Sequence, residues 1–164
     1  MRRITLLVVL TAVAALTASV ASAALSPSYQ LSGSANVSSQ GTTSMSGFAV
    51  GSSGDRGYWR ANVTTGPLSA CATLNSSCAI TGGTFALTTR SGSVTGTLSG
   101  AVTLTSLSQR SGDQYTLVAT VATANGTEEL NVVVTTAHGS HGSCNSFGSS
   151  VQGSFIPAFT APGG

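Results

Sequence analysis

Side chains capable of chemistry are scarce in this chain and gather in two short clusters. The first is His138-Gly139-Ser140-His141-Gly142-Ser143-Cys144, which holds both histidines and one of the three cysteines. Two imidazoles and a thiolate are competent ligands for zinc or copper, and glycine lets a loop fold around an ion. The cluster falls one ligand short of a closed structural zinc site, and no acid lies nearby in sequence. The expectation is a protein without a cofactor. The alternative is an exported metal-binding protein with zinc or copper on His138, His141 and Cys144.

The second cluster is Gly54-Asp55-Arg56-Gly57-Tyr58-Trp59-Arg60, with the only tryptophan, one of three tyrosines and two of six basic residues. Aromatic faces beside guanidinium forks suit a sugar, an aromatic ligand or a protein partner. Asp55, Arg56, Tyr58 and Arg60 are therefore the candidate ligand- or partner-binding residues. A strand pleat divides them: Trp59 falls in register with Ala61 and Val63, while Tyr58 and Arg60 point the other way. This spacing predicts Trp59 as a core anchor, an Asp55–Arg56 ion pair in a turn, and Tyr58 and Arg60 as a recognition surface.

Catalysis fails on inventory. The chain has no G-x-S-x-G elbow, and nothing nominates a serine for a Ser-His-acid site. Glycoside hydrolysis needs two converging carboxylates. Glu128 and Glu129 are adjacent on an expected strand and so face opposite sides, Glu129 outward and Glu128 at a strand end. The threonines of Thr95-Gly96-Thr97 and Thr103-Leu104-Thr105 lack the fixed-period repeat of an ice-binding surface. The N-x-S/T sequences at Asn36, Asn62, Asn75 and Asn125 matter only in a glycosylating host. The expectation is no enzyme.

The elements that must position these residues are strands. Period-two alternation places Tyr29, Leu31, Ala35 and Val37 on one face, then Trp59, Ala61 and Val63, then Val94, Leu98, Val102 and Leu104. Tyr115, Leu117, Ala119 and Val121 continue it, as do Leu130, Val132 and Val134, and finally Phe147, Val151 and Phe155. Turn signals separate the runs: Ser53-Gly54-Asp55, Ser91-Gly92, Ser111-Gly112-Asp113 and Asn125-Gly126. Asn125-Gly126 is a strong hairpin dipeptide and should join strands near 114–123 and 128–136. The fold class is all-β: one antiparallel β-barrel or β-sandwich of about eight strands, preceded by a signal-peptide helix. Glycines recurring on the apolar face, at 33, 47, 96, 100 and 153, fit a closed or strongly curved sheet as well as a glycine-rich composition.

Compartment follows from the first residues. Arg2-Arg3, the uncharged run Ile4–Val20 and the small residues of Ala21-Ser22-Ala23 form a signal peptide cut after Ala23. The domain then spans 24–160, with a short tail at 161–164, in an extracellular or periplasmic setting. Without the leader, four arginines balance four acids, so the mature chain is near neutral and has no basic footprint for nucleic acid. No membrane association is expected after cleavage. In an oxidising compartment cysteines pair. Three pairings are open among Cys71, Cys78 and Cys144, and the local one, Cys71–Cys78, requires no assumption about topology. Together these features describe a secreted, non-enzymatic binding or structural β-domain. Its target would be a small apolar or sugar ligand or a surface partner.

Overall fold

Side chains that alternate apolar and polar can bury one face and hydrate the other, and here a single closed sheet does so. The computed structural model describes residues 28–38, 40–108, 112–136 and 146–157. The segment 1–23 expected to be a signal peptide, the expected tail 161–164 and the His138–His141–Cys144 cluster lie outside the described residues.

Eight strands follow in chain order: β1 (Tyr29–Ser38), β2 (Thr42–Gly51), β3 (Arg56–Thr65), β4 (Ser77–Thr89), β5 (Ser93–Ser106), β6 (Gln114–Thr123), β7 (Gly126–Thr136) and β8 (Ser146–Ile156). Each pairs antiparallel with the next, and β1 pairs antiparallel with β8 from Tyr29↔Phe155 to Ser38↔Ser146. The sheet is a closed up-and-down barrel, which leaves no edge strand exposed. Between barrel and sandwich, the structure is the barrel.

The alternation sorts cleanly. Leu31, Met45, Trp59, Phe85, Leu117, Leu130 and Phe155 are buried inside. Serine, threonine, asparagine and glutamine fill most outward positions, for example Ser32, Asn36, Asn62, Thr97 and Gln152. An apolar inside with a hydroxyl-rich outside is the reverse of the lipid-facing pattern of a membrane-spanning barrel. Among the described residues no helix is long and apolar enough to cross a membrane.

Closure demands curvature, and the inward glycines supply it. A Cβ on Gly47 would lie 1.9 Å from the Ser32 carbonyl oxygen, and one on Gly33 2.1 Å from that of Ser46. At Gly96, Gly100 and Gly153 a Cβ would likewise meet a carbonyl oxygen of the neighbouring strand. Backbones approach there at distances that only glycine permits. A hairpin joins β6 to β7 where one is expected, but its loop is shifted by one residue: β7 begins at Gly126, which pairs with Thr123. Ala124 and Asn125 make the two-residue turn.

A short 3₁₀ helix, Leu68–Cys71, precedes β4, and Cys71 and Cys78 form the expected disulfide with Cα atoms 5.5 Å apart. Both half-cystines are buried. The bridge ties the excursion between β3 and β4 to the barrel wall and points to an oxidising environment.

Candidate binding face

The inside of the barrel offers little room. Among the described residues, a cavity between Val37, Met45, Val63, Tyr115, Leu117 and Val134 has a volume of about 20 Å³, the space of one water molecule. Phe85 and Phe155 pack with ring centroids 4.5 Å apart, and Trp59, 2% exposed, closes the interior beside β1 and β2. Its Nε1–H donates to the Ser32 carbonyl oxygen at 3.1 Å. That bond crosses Gly33 and Gly47, the close-approach pair opposite each other on β1 and β2. Trp59 is the core anchor that its register predicts.

The same strand carries its neighbours outward. Tyr58 is 67% exposed, and Arg56 and Arg60, two positions to either side, are exposed on the same face. Pairing between β2 and β3 sets Phe48 directly opposite Tyr58. The two rings lie 5.0 Å apart at 45°, and Phe48 is itself 59% exposed. Val50, also exposed, pairs with Arg56. Three of the four predicted binding residues, Arg56, Tyr58 and Arg60, thus share one outward face.

Phe48 was not among the expected site residues. The inward positions of β2 are Thr43, Met45, Gly47 and Ala49, smaller on average than the outward Phe48 and Val50. Hydrophobicity therefore misstates which face of β2 is buried, and only the register with β3 brings Phe48 to Tyr58.

Polar side chains extend this face. Ser34, Asn36, Ser44, Ser46, Asn62 and Arg60 line a shallow groove across β1–β3. A second shallow groove, lined by Thr84, Ala86, Thr95 and Thr97 on β4 and β5, has Arg60 on its near side. Arg60 thus stands between two hydroxyl-rich depressions. Among the described residues neither Arg56 nor Arg60 pairs with a carboxylate.

Asp55 departs from the expected turn ion pair. Its Oδ1 accepts the Arg56 backbone N–H at 2.9 Å, and its Oδ2 faces the Tyr29 hydroxyl at 3.4 Å. Hydrogen bonds from the Thr89 hydroxyl, and next from that of Ser91, hold its carboxyl below the ordinary aspartate value. Burial pushes the Tyr29 phenol up. Adjacent side chains at the start of a strand diverge, so the Arg56 guanidinium stays with the outward face while Asp55 joins its turn to β4. The Asp55 carboxylate is thus engaged within this barrel end.

Glu128 is the second departure. It is 4% exposed and faces inward among apolar residues, so it lies inside the wall, not merely at a strand end. Its Oε1 accepts from the Thr123 hydroxyl at 3.3 Å, and its Oε2 is buried without a hydrogen-bond partner among the described residues. Burial raises its pKa, partly opposed by the Thr123 bond. The signal was present in sequence, since Glu128 continues the inward series of Leu130, Val132 and Val134.

Metal ligation by His138, His141 and Cys144 lies outside the described residues. Among the described residues no group of three or more His, Cys, Asp or Glu side chains is placed to hold an ion. No protein-family model, curated protein or solved structure matches the chain.

Proposed function

We propose that this protein is an exported, non-enzymatic binding domain that recognises its target through the outer face of β1–β4, with Tyr58 and Phe48 at the centre and Arg56 and Arg60 beside them. The observation that carries the reading is the Phe48–Tyr58 ring pair: among the described residues these are the aromatic side chains that stand exposed, and they stand together. Two large aromatic side chains held at 59% and 67% exposure keep apolar area in water, and covering that area with a partner is favourable. The filled interior supports a surface site over a ligand held within the barrel.

Export is supported by the charged, apolar and small-residue segments at 1–23 and by the Cys71–Cys78 bridge. The reading as a binding domain is supported by what this face offers among the described residues, two guanidiniums and a phenol beside an exposed ring pair.

The test is retention of fluorescently tagged mature protein on the surface of the producing cells. The double substitution Phe48→Ser/Tyr58→Ser should abolish retention. Val118→Ser/Val133→Ser, on the outward faces of β6 and β7, should leave it unchanged. Retention that survives the first pair, or falls equally with both, would contradict the assignment.

A further inference from the structure

We infer that the target of this face is an acidic polysaccharide, an inference that rests on the binding reading above and narrows it to one chemical class. Charge is distributed unevenly around the barrel. Arg56 and Arg60 lie on β3, and Arg90 follows directly on Thr89, which pairs with Gly57. Glu129, an outward acid, lies on β7, four strands away in a ring of eight. The acid nearest the arginines, Asp55, has its carboxylate occupied by its own turn and by Tyr29. Among the described residues the arginines thus gather on one side of the barrel.

The spacing suits an extended ligand. Outward residues recur about every 6.6 Å along a strand, so Arg56 and Arg60 stand roughly 13 Å apart with Tyr58 midway. Each guanidinium is free to take a carboxylate in bidentate fashion. Between them the Tyr58 and Phe48 rings offer an apolar platform for the C–H face of a pyranose. Alongside, Asn36, Ser44 and Asn62 form one cross-strand row, and Ser34, Ser46 and Arg60 the next. Amides and hydroxyls in ranks match a ligand that carries hydroxyls at every unit. The grooves are open and continue across several strands, which fits a polymer and not a small molecule.

Competing occupants fit less well. Three arginines and no lysine on this side give a weak phosphate footprint for nucleic acid. They also fall short of the four to eight basic residues typical of an anionic lipid surface. A protein interface has a more apolar core than this face offers: Val50 adds apolar area beside the rings, but Ser32 and Thr88 flank them across the strands and Ser46, Arg56 and Arg60 along them.

The experiment is affinity electrophoresis of the mature protein through gels containing polygalacturonate, alginate or hyaluronan, with carboxyl-reduced polygalacturonate, dextran and duplex DNA in parallel. Retardation is expected with at least one acidic polymer, and little or none with the reduced polymer, dextran or DNA. Arg56→Gln and Arg60→Gln should each weaken binding about tenfold, as expected of a charge-assisted hydrogen bond. Tyr58→Ser should weaken it roughly three- to tenfold. All three positions are outward, and unchanged melting temperatures will show that the barrels are intact.

Equal retardation by the carboxyl-reduced polymer would overturn the acidic class while leaving the binding face in place. Equal retardation by DNA would reduce the effect to general polyanion attraction and overturn the inference. Binding that survives all three substitutions would place the site elsewhere. Retention on cells without retardation by any acidic polymer would overturn this inference alone, whereas loss of the cell-retention result would overturn the reading beneath it.

Discussion

Replacing Glu128 with methionine should make the barrel more stable, and more so at pH 8 than at pH 4.5. The side chain is 4% exposed, its Oε2 has no hydrogen-bond partner among the described residues, and burial raises its pKa. A buried acceptor without a partner costs about 1–3 kcal/mol. Methionine keeps the unbranched shape, and its flexible thioether fills irregular space. The substitution removes the 3.3 Å contact from Thr123, but the one hydrogen of the Thr123 hydroxyl is shared with the nearer Gly126 carbonyl oxygen at 3.0 Å, so the hydroxyl stays satisfied. The net gain at pH 8 is then about 1–2 kcal/mol, or a rise in Tm of roughly 3–8 °C for a domain of this size.

The sign of the pH dependence follows from linkage. A carboxyl whose folded pKa is raised contributes fully below its unfolded value, here the ordinary 4.5, and that contribution is lost as pH rises through the folded value. Wild type should therefore weaken relative to the variant as pH increases above 4.5. Denaturant titrations of both proteins at pH 4.5, 6 and 8 measure this directly. A Met variant less stable than wild type at pH 8, or a difference that does not change with pH, would refute the reasoning.

Other outcomes follow from the same geometry. Asp55→Asn should remove a stabilising contribution that is present above the ordinary aspartate value of 3.8 and lost as pH falls through the depressed folded value, so the two proteins should converge in acid melts. Trp59→Phe removes the Nε1–Ser32 bond and part of the core volume, and should cost about 2–3 kcal/mol in urea unfolding. Cys71→Ser/Cys78→Ser opens a loop of sequence separation 7 and should cost about 2.5 kcal/mol, read by the same titration. Gly47→Ala should cost more than 2 kcal/mol, about the scale of core overpacking, whereas Gly66→Ala, where a Cβ meets nothing within 4 Å, should stay within about 0.5 kcal/mol.

Much of the barrel was legible in single residues because side-chain alternation is local. Trp59 inside and Tyr58 outside followed from parity alone; the hairpin near Asn125 was legible as a turn, but its loop is Ala124-Asn125, and only Gly126 takes positive φ there. Closure was not legible, since it depends on Tyr29 meeting Phe155, a contact between the two ends of the folded region. Inward glycines hinted at it, yet only the carbonyls found beside Gly33 and Gly47 separate curvature from composition. The binding face was half legible. Tyr58 and Arg60 stood out because aromatic and charged residues are rare in this chain, but Phe48 needed the β2–β3 register. Asp55 and Arg56 share a cluster in sequence and part in space, because the turn binds one through Thr89 and Tyr29 while the strand pleat carries the other outward.

The most direct test of the central assignment uses the single tryptophan as an internal reporter. In a ¹H–¹⁵N spectrum the Trp59 indole N–H, bonded to the Ser32 carbonyl, reports the barrel interior, while the backbone amides of Phe48, Tyr58 and Arg60 report the outer face. Titration with oligogalacturonate should shift the signals of Phe48, Tyr58 and Arg60 together and leave the indole resonance and the β6–β7 amides in place. A shift dominated by the indole, or by β6 and β7, would contradict recognition through this face.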